Sequence, residues 1–584
     1  MNLAKTCIES LRIAGWLCTL VATGAIAASH SSIAKPTKAP APHFSVVEAD
    51  IASMQNAMAQ GRITSRELVL QYLTRIAYYE DSLNAAITIN RHALQEAEAL
   101  DLERARGKVR GPLHGIPIAL KDNIHTTDMP TTGGVLAFDG LVPPYEATLT
   151  QNLRAAGAVI IAKTMMTELA NWMATAPTPM PANYNALKGY GMNPYDPRRD
   201  PREGSFDGRP ALAPGGSSSG IGTTANLWAA NVGTETSGSL LNPANQTMLV
   251  TIKPTVGRIS RYGIIPLTAD QDTAGPMTKT VADAAILLGA LESAAPDPKD
   301  PATRTCAPPP GRDYRRYLNA GGLQGARIGI PRAFYYDKIV APGETEARGG
   351  LTGDQQAVMA GAIAILKHLG AVIVDPADIP SVTTKEEKQN FLRWDTCRGY
   401  QNAKGKDANC SVVAKYGFKR DFNLWLASLG NGAPLKTLTD LRNWNLKNKN
   451  AGSMKYGQAL LDVSDEMDLE TDRARYETDR ARDIAIYGTN GIDAIMKSER
   501  LDALLFPAGS GAAISAKPGY PTVLVPFGMV ANAPSPAFPT GFDAKRAPFG
   551  VSFAGMSCSE PRLIELAYAF EQATKRRVPP GSTP

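Results

Sequence analysis

Residues 214–239, PGGSSSGIGTTANLWAANVGTETSGS, carry the pattern from which we infer the fold. Two clusters combine Gly with Ser or Thr, at 215–220 and 233–239, and a short apolar segment joins them. Glycines let the backbone approach a substrate closely, and successive N–H groups in such a loop can bind an anion. Residues 216–220, GSSSG, have the letters of G-x-S-x-G, but no apolar strand precedes them as the nucleophile elbow requires, and the Walker pattern is absent from this stretch. Alone, it is more typical of a flexible loop than of a catalytic site, and a further segment is needed to change that balance.

That further segment adds a lysine to the pattern. GPLHGIPIALKDNI, residues 111–124, reads as a turn, an apolar strand and a polar exit, with Lys121 directly after the run IPIAL. A single Lys at a strand end is typical of a solvated surface charge. Beside two Gly/Ser clusters the same Lys becomes a candidate base, because burial penalises the ammonium form and favours the neutral amine.

Together, the three segments resemble the amidase signature family of Ser-Ser-Lys hydrolases, and peptide-amidase-like members most of all. Residues 162–172, 253–285 and 491–507 fit the family pattern in the same order, as does FEQATKRRVPP near the carboxyl end. The resemblance covers roughly 46–300 and 485–580, and it is loose in the region between them. It implies an amidase-signature fold, in which a mixed, twisted β-sheet is covered by α-helices on both faces.

The resemblance implies roles for three side chains. Ser239 occupies the position of the nucleophile, Ser217 that of the bridging serine and Lys121 that of the general base. In the family the bridging serine follows a cis peptide bond, here Gly216–Ser217, which costs about 2.5–4 kcal/mol before a residue other than Pro. The proton of Ser239 would pass through Ser217 to Lys121 and return to the leaving amine.

The resemblance also implies an oxyanion hole made by backbone N–H groups, each worth about 2.7–4 kcal/mol to the transition state. The residues concerned are Thr236, Ser237, Gly238 and Ser239. Ser218 would support the network by hydrogen bonding or would simply pack the turn. The resemblance implies no cofactor, and a protein-bound metal is not expected because C-x-x-C, H-E-x-x-H and zinc-type spacings are all missing from the sequence.

The implied activity is hydrolysis of carboxamide C–N bonds in linear amides, such as peptide C-terminal amides, through a serine acyl-enzyme. Aryl-acylamide or ester hydrolysis remains an alternative, since the same acyl-enzyme serves all three. Further alternatives are an inactive binding homologue and a glutamine-amidotransferase subunit. The inactive homologue is suggested by the 22-residue separation of Ser217 and Ser239, which is shorter than the family's usual spacing.

Other nucleophile arrangements lack an accompanying motif. His114 and His125 flank Lys121 in sequence, but no elbow motif supports a Ser-His-Asp triad with either of them. Cys558 has no evident partner for nucleophilic chemistry, and we expect it to serve as core packing.

The secondary-structure patterns independently favour an α/β protein. Thr64 and Glu67 open a helix whose apolar residues fall on one face. Four apolar runs read as buried strands, namely AVIIAKT, LDALLFP, PTVLVPFG and FGVSFAG. Residues 560–574 read as a closing helix. Residues 470–483 repeat ETDRAR and read as a solvated helix face with internal ion pairs.

The amino-terminal residues 1–27 predict a cleavable signal peptide. Lys5 and Arg12 precede a short apolar run that ends in Ala-Ile-Ala at 25–27. A membrane anchor is the alternative, although the run is short for a bilayer about 30 Å thick. Residues 28–45 then read as a linker and 46–584 as one domain, in which the variable region 301–484 shapes the substrate pocket. We therefore expect a secreted or periplasmic protein without a stable membrane span after cleavage.

Composition limits the partners of the chain. With 61 Lys and Arg against 55 Asp and Glu in 584 residues, the formal charge is +6, yet no basic stripe is present. A nucleic-acid partner is therefore not expected, and the substrate is a small-molecule or peptide amide. Export would leave four cysteines in an oxidising compartment. We favour a Cys397–Cys410 bridge, with buried free thiols as the alternative, and the sequence leaves the oligomeric state open.

Overall fold

The computed structural model describes residues 44–175, 178–204, 207–399 and 409–584. The expected signal peptide and nearly all of the linker lie outside the described residues. Residues His43–Pro584 form one compact unit. No helix in the described ranges is both long enough and apolar enough to cross a membrane.

The described strands belong to one large sheet and three small ones. The strands are β1 (Ala86–Ile89), β2 (Pro117–Lys121), β3 (Val159–Thr164), β4 (Tyr184–Asn185), β5 (Gly189–Tyr190), β6 (Ala230–Glu235), β7 (Val250–Lys253), β8 (Thr273–Thr278), β9 (Arg327–Gly329), β10 (Lys338–Val340), β11 (Ala347–Gly349), β12 (Val372–Val374), β13 (Asp395–Thr396), β14 (Cys410–Ser411), β15 (Ala503–Pro507), β16 (Thr522–Val530) and β17 (Ala547–Ala554).

Helices surround the strands along the whole described chain. The α-helices are α1 (Ile51–Ala59), α2 (Ser65–Leu83), α3 (Ala93–Ala105), α4 (Thr148–Ala155), α5 (Ile221–Thr224), α6 (Leu241–Gln246), α7 (Val281–Leu291), α8 (Gly353–His368), α9 (Pro380–Thr383), α10 (Val413–Ser428), α11 (Leu438–Lys447), α12 (Ala459–Asp465), α13 (Arg473–Asp483), α14 (Asp493–Ser498), α15 (Ala512–Ala516) and α16 (Glu560–Thr574). A π-helix, Ile484–Ile492, continues α13.

The large sheet has eleven described strands in the order β1-β3-β2-β6-β8-β7-β16-β17-β15-β9-β12. Its pairing is mixed, because β2 runs parallel to β3 and β6 while β6, β8, β7, β16 and β17 pair antiparallel in turn. Every residue of β2, β3 and β6 is buried, as expected of strands covered on both faces. The α/β class with a mixed sheet is confirmed.

Local signals in the sequence locate several of these elements correctly. Thr64 caps α2 through its side chain, which accepts the Glu67 N–H at 3.1 Å, while the Glu67 carboxylate accepts the Thr64 N–H at 2.7 Å. This reciprocal arrangement satisfies two N–H groups that a helix end leaves free. The strands predicted at 158–164, 501–507, 521–528 and 549–555 and the helix at 560–574 are likewise confirmed.

The repeated ETDRAR segment corrects one interpretation. It forms α13, and Arg475 pairs with Asp479 across one turn at 2.8 Å. However, Asp479 and Asp483 are buried rather than solvated. The Asp483 carboxylate accepts hydrogen bonds from Trp394 Nε1, Ser411 Oγ and Lys517 Nζ, each at 2.7–2.8 Å. The ion pair within the helix follows from the helical spacing in the sequence. The burial of the carboxylates does not, because it depends on partners from distant segments.

Two disulfides join segments that are distant or adjacent in sequence. Cys397 is bonded to Cys410, which confirms the favoured bridge. Cys306 is bonded to Cys558, 252 residues away. The expectation that Cys558 serves as core packing was therefore wrong, because only the fold brings it next to Cys306.

Removing the shorter bridge tests its contribution to stability. The Cys397→Ser/Cys410→Ser double variant should lose about 3 kcal/mol of unfolding free energy, because a bridge of this kind limits the unfolded chain. The two cysteines are 13 residues apart. Denaturant titration of the variant and of the oxidised wild type measures the loss. Alkylation of both thiols in the unreduced wild type would contradict the bridge.

Candidate active site

Two parallel neighbours in the sheet bring the predicted site residues to one edge. Lys121 is the last residue of β2, and Glu235 is the last residue of β6. The strands pair with Leu120 opposite Val232. Because parallel strands end at the same edge, Lys121 lies beside the loop 236–239 that follows β6 and leads to α6.

The two serines of the predicted triad are in contact. Ser217 Oγ lies 2.7 Å from Ser239 Oγ, and both side chains are buried. The Ser218 N–H donates to the Ser239 carbonyl at 3.2 Å. The Ser218 hydroxyl accepts the Thr234 N–H at 3.1 Å and donates to the Thr234 carbonyl at 2.9 Å. These bonds fasten the two Gly/Ser clusters to each other.

Lys121 is fully buried and bonded to the end of β6. Its Nζ donates to Thr234 Oγ1 at 2.8 Å and to the Thr234 carbonyl at 3.2 Å. Burial lowers the pKa of this amine to about 7, and the negative charges of Asp272 and Glu235 oppose that decrease. Asn123 Nδ2 donates to the same Thr234 hydroxyl at 3.1 Å. Lys121 can therefore be a neutral base near neutral pH.

Two expectations about Ser217 are corrected. Within the described ranges the cis peptide bonds are Asp375–Pro376 and Ser535–Pro536, so the expected cis bond at Gly216–Ser217 is not observed. Among the described residues, Lys121 Nζ makes no hydrogen bond to Ser217. The hydroxyl and carbonyl of Thr234 take the donors of the amine instead. The expected proton path has a hydrogen bond for its first step, between Ser239 and Ser217, but none for its second step, between Ser217 and Lys121.

The backbone of the loop after β6 has free donors. The N–H groups of residues 236–239 make no hydrogen bond to any group of the described chain. Gly238 has a φ of +82°, and a Cβ there would lie 2.6 Å from Asn242 Nδ2. Glycine is thus required at this turn. The loop lines a cavity of about 200 Å³ together with Ser217 and Ser239. Unbonded N–H groups at a cavity wall are the arrangement that stabilises an oxyanion.

The first Gly/Ser cluster is held by two residues that the sequence analysis missed. Asn183 Nδ2 donates to the carbonyls of Gly215 and Gly216 at 2.8 and 3.0 Å. The Thr167 hydroxyl accepts the Asn183 N–H at 2.8 Å. A Cβ at Gly216 would lie 2.5 Å from Pro243 Cδ. Asn183 belongs to a long Pro- and Asn-rich loop of the kind that is often functional, and that composition was its only signal.

Asp272 was also missed, although it lies in a segment that fits the family pattern. Its carboxylate accepts a hydrogen bond from the Thr236 hydroxyl and from the N–H groups of Leu267 and Thr268, the last two at 2.8 and 2.9 Å. Burial raises the pKa of Asp272 to about 6. The side chain thereby connects the loop 236–239 to the segment before β8. Its negative charge also opposes the lowering of the Lys121 pKa by burial.

The two histidines near Lys121 in sequence have structural partners. His114 Nε2 lies 3.0 Å from the Leu100 carbonyl. His125 Nε2 accepts a hydrogen bond from Trp425 Nε1 at 2.8 Å, and burial lowers the pKa of His125 to about 3. Neither ring contacts Ser239 in the described structure, so a His-based triad is not formed.

The connection between the clusters, which we expected to be shorter than is usual in the family, contains one helical turn, α5. Gly222 in this turn lies against the Trp228 ring, where a Cβ would be 1.9 Å from Trp228 Cζ2. Both motif ends keep their contacts despite the shorter spacing, because Ser217 and Ser239 still meet.

The region 301–484 contributes part of the wall of the cavity that contains the serines. The residues of this region that line the cavity are Asp395, Thr396, Arg398 and Ala414. Trp172, from the segment after β3, lines the same cavity. A second cavity, of about 260 Å³, adjoins the Thr234 side of the site. The walls thus combine segments that fit the family pattern, 162–172 and 253–285, with parts of 301–484, where the resemblance is loose.

Comparisons of the sequence with known proteins all indicate the same family. The family profile described as Amidase matches residues 67–564. A probable amidase of Arabidopsis thaliana is 31% identical over 542 residues, which are 92% of this chain and 92% of the plant protein. A glutamyl-tRNA(Gln) amidotransferase subunit of Chloroflexus aurantiacus is 35% identical over 368 residues, 61% of this chain and 68% of that protein.

Solved structures extend the likeness to three dimensions. Native peptide amidase from Stenotrophomonas maltophilia is 34% identical, with a TM-score of 0.75 over 92% of this chain and 99% of that one. A peptide amidase in complex with the competitive inhibitor chymostatin is also 34% identical, with a TM-score of 0.76 over 92% of this chain and 100% of that one. The fold described above is shared with both.

Proposed function

This chain belongs to the amidase family and is a hydrolase of amide C–N bonds, and on that premise we propose that Ser239, Ser217 and Lys121 perform the reaction. The observation that carries the proposal is the 2.7 Å contact between the two serine hydroxyls. It lies beside a loop whose N–H groups are free to bind an oxyanion. The buried Lys121 amine, with its lowered pKa, supplies a base at the same sheet edge.

In the first half-reaction Ser239 Oγ attacks the carbonyl carbon of the amide. Its proton passes to Ser217 as the proton of Ser217 passes to Lys121, and the carbonyl oxygen becomes an oxyanion bound by the N–H groups of residues 236–239. The second transfer requires Ser217 Oγ and Lys121 Nζ to come within hydrogen-bond distance. Catalytic hydrogen bonds commonly tighten in this way only when substrate binds.

Collapse of the intermediate breaks the C–N bond. The proton held by Lys121 returns through Ser217 to the leaving nitrogen, and ammonia or an amine departs while the acyl group stays on Ser239. Water then attacks the ester carbon with Lys121 again accepting the proton, which returns through Ser217 to Ser239 Oγ as the ester C–O bond breaks. The acid is released and the Ser239 hydroxyl is restored, so that one water is consumed for each amide bond broken.

The substrate that we propose is a linear amide, with peptide C-terminal amides first among them. The support is the likeness to peptide amidase over nearly the whole of both chains. Anilides and esters are the alternatives, because they form the same acyl-enzyme. Glutamine as an ammonia donor is the further alternative that the amidotransferase relative suggests.

A substrate panel distinguishes these possibilities. Ammonia release should be fastest with peptide amides and slower with fatty amides and free glutamine, while anilides and esters are followed by amine or acid release. The Ser239→Ala protein, assayed in parallel, corrects for contaminating amidases. Faster turnover of anilides or esters than of any peptide amide would overturn the proposed substrate class and leave the hydrolase assignment in place.

We further propose that the protein is exported and that the mature chain begins at Ala28. The Ala-Ile-Ala sequence at 25–27 motivates the site, and the two disulfides fit an oxidising compartment. Amino-terminal sequencing of secreted protein should begin at Ala28, and Leu20→Arg, which puts a charge into the apolar run, should block export. Secreted protein that retains Met1 would contradict the proposal.

A further inference from the structure

The cavity that contains Ser217 and Ser239 has an arginine in its wall. Arg398 lines this cavity of about 200 Å³ and is exposed to it. Its guanidinium carbon lies 5.9 Å from the centre of the Trp172 ring, which lines the same cavity. Trp172 is fixed by its own hydrogen bond, from Nε1 to Ser464 Oγ at 2.9 Å. A cation thus lies over a rigid aromatic face beside the nucleophile.

The backbone next to Arg398 is fastened at three points. Cys397 is bonded to Cys410, and its N–H donates to the Ser411 carbonyl at 2.8 Å. The short parallel strands β13 and β14 pair Asp395 with Cys410. The Ser411 hydroxyl in turn donates to the buried carboxylate of Asp483 at 2.7 Å. The position of Arg398 at the cavity is therefore set by covalent and hydrogen bonds of the residue before it.

Arg398 differs from Lys517, the other described cation of this wall, in having no ion pair with a described residue. Among the described residues, no carboxylate oxygen lies within 4.0 Å of its guanidinium. Lys517, in contrast, is paired with Asp483 at 2.8 Å. Asp395 accepts the Thr396 N–H at 2.7 Å. Burial lowers the pKa of Lys517, and the charges of Asp483 and, to a smaller extent, Asp395 oppose that decrease. Among the described groups of this wall, the Arg398 guanidinium is therefore a cation without an ion pair, and Asp395 is a carboxylate without one.

We propose that Arg398 is a specificity-determining residue that binds a carboxylate of the substrate, so that amides carrying a carboxylate are preferred over neutral amides of the same length. The inference rests on the proposed function, since it names the substrate class of the same site. A guanidinium binds a carboxylate through two parallel hydrogen bonds, and the Trp172 face can contact the apolar part of the chain. A peptide amide with an acidic side chain or the monoamide of a dicarboxylic acid has this chemistry.

The test compares three matched series of linear amides. The monoamides of dicarboxylic acids from succinic to sebacic acid carry a carboxylate, the fatty amides of equal length are neutral, and the ω-amino amides carry a cation. Wild type should hydrolyse the carboxylate amide with about tenfold higher kcat/KM than the neutral one at the chain length that reaches Arg398. The preference should act mainly through KM and weaken as salt screens the charges.

Substitutions then assign the preference to one side chain. Arg398→Ala should reduce the ratio of carboxylate to neutral turnover from about ten to about one, and Arg398→Glu should favour the ω-amino amides. Arg393→Ala is the matched control, because Arg393 is paired with Glu344 and Glu387 at 3.0 and 2.8 Å outside the cavity and should keep the wild-type ratio. Thermal unfolding of each variant shows that the fold is retained.

Binding separates this inference from the proposed function. In the Ser239→Ala protein, calorimetry should find tighter binding of the carboxylate amide than of the neutral amide, and Arg398→Ala should remove the difference. Amide turnover without any carboxylate preference overturns the role of Arg398 and leaves the hydrolase assignment intact. If none of these amides is hydrolysed, the proposed substrate class fails, and the binding measurement alone decides the role of Arg398.

Discussion

Replacing Ser239 with Ala is expected to lower kcat/KM by at least about three orders of magnitude, because it removes the atom that forms the acyl-enzyme. The variant should fold normally, since only one hydroxyl is deleted and the backbone N–H groups of residues 236–239 remain. Mass spectrometry after treatment with a serine-directed fluorophosphonate should find the label on Ser239 in the wild type and none there in the variant.

Ser219→Ala is the control for this substitution. Ser219 belongs to the first Gly/Ser cluster and is buried, and its hydroxyl makes no hydrogen bond in the described structure. Its loss should therefore affect turnover far less than the loss of the Ser239 hydroxyl. Equal labelling and equal turnover in the Ser239→Ala protein would reject Ser239 as the nucleophile.

Replacing Lys121 should be nearly as damaging, because the proton path then has no final acceptor. Lys121→Ala should lower kcat/KM by about the same factor as Ser239→Ala, since groups of a catalytic unit do not act independently. Lys121→Arg should fail to restore activity, because a guanidinium stays protonated in proteins and cannot accept a proton. Circular dichroism and thermal unfolding control for loss of fold at this buried position.

The pH profile of the wild type provides a second measure of the same base. Burial lowers the pKa of Lys121 to about 7, and only the neutral amine accepts a proton. The activity should therefore be full above pH 7 and should fall about tenfold per pH unit below it. A profile that stays flat down to pH 5, or an Arg variant with wild-type activity, would rule out Lys121 as the base.

The structure also changes how the three residues are connected. Lys121 is held by Thr234, a residue of the GTETSGS motif outside the expected triad, and the Gly216–Ser217 bond is not cis. A hydrogen-bonding role for Ser218 was one of two alternatives, and its hydroxyl does bond Thr234. Roles that depend on which atoms lie within 3 Å require coordinates, because a motif specifies residue types and their order only.

The sequence by itself determined the α/β class, the family and the three segments that meet at the site. It could do so because buried strands, helix caps and close-approach glycines leave local patterns, such as the all-apolar run before Lys121 and the Thr64–Glu67 capping box. The pairing of Cys397 with Cys410 was also within reach, since the two are near in sequence, whereas the Cys306–Cys558 pair was not.

Only the tertiary structure decided the surroundings of the site. Asn183, Asp272 and Arg398 lie in separate loops. The loop composition around Asn183 and the family pattern around Asp272 mark these segments, but nothing local shows what either side chain binds, and Arg398 has no local signal at all. Their functions arise from contacts across the chain: Asn183 holds the carbonyls of Gly216 and its neighbour, and Asp272 binds the oxyanion loop. The free energy of burying or pairing a polar group depends on what the fold brings beside it, and that information is absent from any single segment.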